Sequence, residues 1–184
     1  MGLGTIKPDD DGDFILPNIK GKDCYLSNLL GFDDKLGCKK NPTNHLYFII
    51  IYLSPSDIHR FYSPINFHQK TVTQINGFSS RLLSFFSNKF SQKICLNHRI
   101  IIKGISEWGN FLMIPIGARN VGIIHLTKRE ETFMNSYKIN KHTSLNSEAN
   151  YNKGEEMGYF LLGSTIALIF EAPPEFKFSV NLND

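Results

Sequence analysis

The apolar positions of this chain fall mostly into short runs that alternate or stay wholly apolar, a strand pattern rather than a helical one. Leu46 to Leu53 is rich in Ile, Tyr and Phe and predicts a strand that Ser54-Pro55 stops. In Thr165 to Phe170, the positions Ile166, Leu168 and Phe170 alternate with Thr165, Ala167 and Ile169, nearly all apolar or β-branched. That pattern predicts a strand buried on both faces. Tyr159 to Phe170 reads as a central strand pair flanking Gly163-Ser164, closed by Ala172-Pro173-Pro174. Further strands are expected over Phe14 to Ile19, Lys93 to Lys103, Trp108 to Ile116 and Val121 to Leu126, with an exposed strand over Phe67 to Ile75 and an edge strand over Phe176 to Leu182.

Helical spacing is rarer. Tyr25, Leu26, Leu29 and Leu30 lead to Gly31, a helix stop, and Arg81 to Phe90 looks helical around Leu82, Leu83, Phe85 and Phe86. Ser56 to Phe61 fits one or two helical turns, capped by Ser54 or Ser56 and ended by Ser63-Pro64. On such a turn His59 and Tyr62 would share a face, whereas Asp57 and His59 would not. Asp33 to Thr43 reads as a loop. Lys128 to Lys153 reads as a long surface loop or partly disordered insert, and as the most mobile internal segment. Together these elements predict a mainly β (α+β) fold, an antiparallel β sandwich or barrel with a few short helices, forming a single domain over residues 1–184.

Composition narrows the classes. With 184 residues, 41% hydrophobic and 20% charged, the chain can bury a core and is not disordered. Its net charge of +3 comes from scattered basic residues, so no nucleic-acid partner is expected, while an anionic lipid surface is compatible. Cys24, Cys38 and Cys95 are odd in number and form no C-x-x-C pair, which predicts reduced thiols, no disulfide framework and no metal site. The Asp9 to Asp13 run lacks the glutamate of a calcium loop and reads as a solvated turn. No apolar run is long enough to span a bilayer, and the N-terminus lacks a secretory pattern.

The candidate chemistry lies at Gly163-Ser164. A hydroxyl fixed beside a glycine carbonyl, at the mouth of a rigid strand, suggests self-cleavage of the chain; the same residues also read as a tight turn entering a core strand.

Two distant stretches, Ile51-Tyr52-Leu53-Ser54-Pro55-Ser56-Asp57-Ile58-His59-Arg60-Phe61-Tyr62-Ser63-Pro64 and Gly154-Glu155-Glu156-Met157-Gly158-Tyr159-Phe160-Leu161-Leu162-Gly163-Ser164-Thr165, closely resemble the phosphatidylserine decarboxylase family. Leu96-Asn97-His98-Arg99, Pro115 to Ile124 and Ile19 to Gly31 extend the resemblance in the family's order. The resemblance implies decarboxylation of phosphatidylserine to phosphatidylethanolamine through a pyruvoyl group made from Ser164, with cleavage between Gly163 and Ser164. The pieces would be a β chain, residues 1–163, and an α chain, residues 164–184. It also implies His59 as the acid of decarboxylation and Asp57 as part of the base system for self-cleavage.

The family's second histidine, three residues after the first, is here Tyr62, the possible replacement for that base. A phenol is a poor base at neutral pH. The family's upstream Pro-Ala-Asp-Gly-like motif precedes the equivalent of Gly4-Thr5, so this chain starts too late to include it. Both departures predict slow self-cleavage or none. The resemblance places the protein at a membrane surface, the mitochondrial inner membrane or a bacterial one, with a homodimer left open. Two other readings stay in play: a non-processing relative that acts as a lipid- or partner-binding subunit, and a serine hydrolase using Ser164, His59 and Asp57, which lacks a nucleophile-elbow pattern. Asn97, Arg99 and Asn120 read at least as well as structural residues, and His45, His68, His98, His125 and His142 as surface or packing residues.

Overall fold

The computed structural model describes residues 2–10, 13–19, 22–31, 41–54, 56–78, 94–118, 123–128, 132–134, 142–161 and 164–180. Their β-branched and aromatic runs form two antiparallel sheets. The larger has nine strands in the order β11-β6-β7-β8-β13-β4-β1-β2-β3. These are β1 (Gly2–Pro8), β2 (Phe14–Ile19), β3 (Lys22–Tyr25), β4 (His45–Tyr52), β6 (Phe67–Ile75), β7 (Arg99–Ser106), β8 (Asn110–Ile116), β11 (His142–Tyr151) and β13 (Thr165–Ala172). The smaller sheet runs β10-β9-β12-β5, from β5 (Arg60–Tyr62), β9 (Ile123–Leu126), β10 (Thr132–Met134) and β12 (Glu156–Phe160). The mainly β, antiparallel class expected from periodicity is what forms. The larger sheet keeps open edges at β11 and β3, so it does not close into a barrel.

β13 lies at the centre, paired with β4 on one side and β8 on the other, and all eight of its residues are buried. Hydrophobic residues of both sheets join one core, in which the Phe61 and Phe160 rings of the smaller sheet sit 5.4 Å apart. The expected helix is α1 (Leu26–Leu30); Gly31 ends it in the left-handed region (φ 73°), where a side chain would be strained, and returns its N–H to the Ser27 carbonyl. Ile94 to Leu96 adds one further helical turn.

Several expectations need correction. Ser56 to Phe61 is not helical: a turn at Ser56-Asp57 gives way to extended chain and β5, because pairing with β12 outweighs a weak local helix signal. His59 and Tyr62 therefore share no helical face. Phe67 to Ile75 is no exposed strand, since β6 lies between β11 and β7 and buries Phe67, Gln69, Val72, Thr73 and Ile75. The strand expected from Lys93 begins only at Arg99. Tyr159 to Phe170 does not make one strand pair; β12 and β13 belong to different sheets. The polar stretch Lys128 to Lys153 contains the ten-residue edge strand β11, paired with β6 from His142 to Tyr151. Most of its side chains are exposed while its backbone supplies the ladder, which composition alone does not reveal. Phe176 and Phe178 form no strand; their rings pack edge-on against Tyr47 and Phe170. Arg81 to Phe90, and residues 33–40 of the expected loop, lie outside the described residues.

Gly158 tests this packing. It sits on β12 between β9 and β5, and a Cβ there would fall 2.1 Å from the His125 carbonyl oxygen and 2.5 Å from the Phe61 ring. Gly158→Ala should lower stability by about 1–3 kcal/mol, read from urea unfolding. Unchanged stability would show that the two neighbours do not approach this closely.

Candidate active site

Strand ends from across the larger sheet meet at one place. Thr165, the first residue of β13, stands in register between Tyr52 at the end of β4 and Ile116 at the end of β8. Ile116 in turn pairs with Arg99 at the start of β7. Ser164 lies just before Thr165 and is 1% exposed. Its carbonyl accepts a hydrogen bond from the Leu53 N–H at 2.7 Å, and its hydroxyl donates to the Ile116 carbonyl. Both neighbours of β13 thus hold Ser164 through their backbones. Beside it, the buried Thr165 Oγ1 has no hydrogen-bond partner among the described residues.

Asp57 and His59 lie on the segment that leaves β4. Asp57 closes a turn: its N–H donates to the Ser54 carbonyl at 3.0 Å, and its Oδ2 accepts from the Ser54 N–H at 2.6 Å. Burial, and then the Asp57 carboxylate, push the Tyr52 phenol above its ordinary range. The half-buried His59 accepts the Phe160 N–H on its carbonyl at 2.8 Å. That bond and the Leu53–Ser164 bond tie the segment carrying Asp57 to Phe160 at one end and to Ser164 at the other. Ile58 and Leu161 flank the His59–Phe160 bond and are 73% and 58% exposed.

Tyr62 pairs instead with Glu156, at the end of β12 remote from Phe160, and is exposed while its neighbour Phe61 is buried. Gly163 lies outside the described residues. The structure therefore places Ser164 beside Leu53, where the segment that carries Asp57 and His59 begins, and leaves Tyr62 exposed on β5.

The supporting groups were only partly legible. Asn97 is fully buried and donates to the Gly117 carbonyl at 2.9 Å, and the Gly117 N–H donates to the His98 carbonyl. Arg99 is 3% exposed and donates to the carbonyls of Leu29, Asn97 and Asn28 at 2.6, 2.8 and 3.0 Å. Burial lowers its guanidinium to about 10. Both residues are structural, the reading their sequence allowed; Asn120 lies outside the described residues. His68 bonds Asn150, His98 bonds the Ile75 carbonyl and His125 stacks on Tyr159. The Ile116 carbonyl, which accepts the hydrogen bond from the Ser164 hydroxyl, is a backbone group with no side-chain signal. Among the described residues no three His, Cys, Asp or Glu side chains gather to hold a metal, and no helix is long and apolar enough to cross a membrane.

Residues 6–184 match a family model described as phosphatidylserine decarboxylase. The chain is 37% identical over 167 residues to phosphatidylserine decarboxylase proenzyme 1, mitochondrial, of Saccharomyces cerevisiae, covering 83% of this chain and 33% of the yeast protein. It is 31% identical over 170 residues to the mitochondrial proenzyme of Caenorhabditis elegans, covering 90% of this chain and 44% of that protein. It is 36% identical over 147 residues to the mitochondrial proenzyme of Cricetulus griseus, covering 73% and 35%. The chain thus spans about a third to less than half of the length of these relatives.

Arg99 is the most sensitive polar group behind this site. Arg99→Lys keeps the charge but cannot satisfy three carbonyls with one ammonium at the same reach. The variant should lose about 2–4 kcal/mol in urea unfolding. A wild-type midpoint would show that the carbonyls find other donors.

Proposed function

The chain belongs to the phosphatidylserine decarboxylase family, and we propose that it carries the part of such an enzyme that turns phosphatidylserine into phosphatidylethanolamine, with a pyruvoyl group made at residue 164. The observation that carries this reading is the buried Ser164, held by backbone on both sides at the mouth of β13. A group built from the chain itself must form in place, and a serine fixed this way fits that need. The pyruvoyl group supplies the electron sink for loss of carbon dioxide, which no side chain of the chain can offer.

To generate it, Ser164 Oγ attacks the Gly163 carbonyl and turns that amide into an ester. Elimination at Ser164 then releases Gly163 as a carboxylate and leaves a dehydroalanine amine, which tautomerises to an imine, takes up water and loses ammonia to become the pyruvoyl group. Residues 1–163 and 164–184 remain together, because the ladders of β13 with β4 and β8 join the pieces. In the uncleaved chain the Ser164 hydroxyl donates to the Ile116 carbonyl, so attack first requires it to turn toward a base. Asp57, on the segment that leaves Leu53 beside Ser164, belongs to that base system. His59, tied to Phe160, is the residue that hands a proton to the decarboxylated carbon, since an imidazole exchanges protons near neutral pH.

The substrate is a lipid, and two large apolar side chains, Ile58 and Leu161, stand exposed on either side of the His59–Phe160 bond; they seat this end of the protein on a membrane surface, in mitochondria as the relatives' names indicate. Burying one such side chain in lipid is worth roughly 1.5–3 kcal/mol.

Vesicles containing phosphatidylserine test the chemistry. Matured wild-type protein should release phosphatidylethanolamine and carbon dioxide, and Ser164→Ala should release neither. His59→Ala should leave cleavage intact yet slow decarboxylation about 10²–10⁴-fold; equal loss of both steps would show that the roles are wrongly divided. In vesicle sedimentation, Ile58→Asp and Leu161→Asp should each weaken binding about tenfold or more. Binding equal to wild type would place the membrane contact elsewhere.

A further inference from the structure

Cys24 and Cys95 are 71 residues apart in sequence, yet their sulfurs lie 2.6 Å from each other. That is about half an ångström beyond the ~2.05 Å of an S–S bond. Both are free thiols in this structure. Cys24 sits on β3, immediately before Tyr25 and α1, and is 4% exposed. Cys95 sits on the helical turn before Asn97 and is partly exposed. The same two segments are already joined by Arg99, whose guanidinium binds the Asn28 and Leu29 carbonyls on one side and the Asn97 carbonyl on the other.

We propose that Cys24 and Cys95 are a redox-modifiable pair, which closes to an intramolecular disulfide on exposure to a small-molecule disulfide such as oxidised glutathione. The attacking sulfur is Cys95. The hydrogen bond between the two sulfurs, with help from the Arg99 guanidinium, holds the Cys95 thiol below the ordinary range against the opposing effect of burial. Cys24, the more buried residue, is held above it. Thiolate is the nucleophile in exchange, so the accessible member of the pair is also the reactive one.

The Cys95 thiolate attacks the small disulfide RS–SR, forming a Cys95–SR bond and expelling RS⁻. Cys24 then gives its proton to solvent or to the departing thiolate. Its sulfur attacks Cys95 Sγ, forms the Cys24–Cys95 bond and expels the second RS⁻. Two protein thiols are oxidised and one small disulfide is reduced to two thiols. The bond ties α1 to the segment whose Asn97 and His98 grip Gly117, beside the carbonyl that accepts from Ser164. Oxidation therefore braces the back of the Ser164 site. The cysteine count could not reveal this pair, because neither spacing nor parity reports which thiols meet in space.

The whole purified chain is incubated with oxidised glutathione, alkylated under denaturing conditions and mapped by peptide mass, with a non-reducing gel to separate monomer from dimer. Monomer should yield a Cys24–Cys95 linked peptide pair with Cys38 alkylated, and dithiothreitol should reverse the link. The oxidised form should melt roughly 5–10 °C higher than the reduced form. Cys24→Ser and Cys95→Ser should each abolish the link and the shift, whereas Cys38→Ser should keep both. Alkylation of both Cys24 and Cys95 after oxidation, or links made mainly by Cys38, would overturn the proposal. The wild-type peptide map decides the matter alone if a serine variant fails to fold.

Discussion

The structure depends on the double-sided pairing of β13. Eight residues, Thr165 to Ala172, pair with β4 along one edge, Thr165 to Phe170 also pair with β8 along the other, and all eight are buried. Such a strand has little freedom to slip, since a one-residue shift would turn every side chain to the opposite face. Whatever precedes it is consequently delivered to a fixed position. Ser164 is that residue, and the two strands that pair with β13 also hold its carbonyl and hydroxyl. A reaction in which a serine attacks the peptide bond before it requires such positional control.

The polar groups behind the site follow from the same constraint. Several strand ends meeting in a buried place bring their carbonyls with them, and each must be satisfied. Arg99 satisfies three carbonyls and Asn97 one, so a buried cation and a buried amide are structural necessities at the rear of the site. The cysteine pair lies against this arrangement, which makes its oxidation state relevant to how firmly α1 and the 94–99 segment are joined.

Much of this was legible in the sequence. Ile166, Leu168 and Phe170 announced a doubly buried strand, Tyr25 to Gly31 announced α1 and its stop, and the motif around Gly163-Ser164 pointed to the family that residues 6–184 match. What stayed hidden was non-local. Ser56 to Phe61 has a helix-like start, but its partner is β12, nearly a hundred residues later, and no local propensity reports that. β11 reads as a polar insert because an edge strand is held by its backbone ladder rather than by apolar side chains. The Ile116 carbonyl left no trace, because any residue would supply it. Asp57 and His59 were expected from resemblance alone; what the fold adds is a physical link, the His59–Phe160 and Leu53–Ser164 hydrogen bonds that tie the two ends of their segment to Phe160 and Ser164.

The central claim is that Ser164 is where the chain is cut and where the reactive group forms, inside a fold that survives the cut. Intact mass of the purified protein under denaturing conditions, followed over time and paired with size-exclusion chromatography under native conditions, tests it most directly. The account predicts slow accumulation of two masses, residues 1–163 and residues 164–184 with a pyruvoyl start, that co-elute as one native species and never appear in Ser164→Ala. Decarboxylation by a chain that remains uncut, or a cut at any other peptide bond, would contradict it.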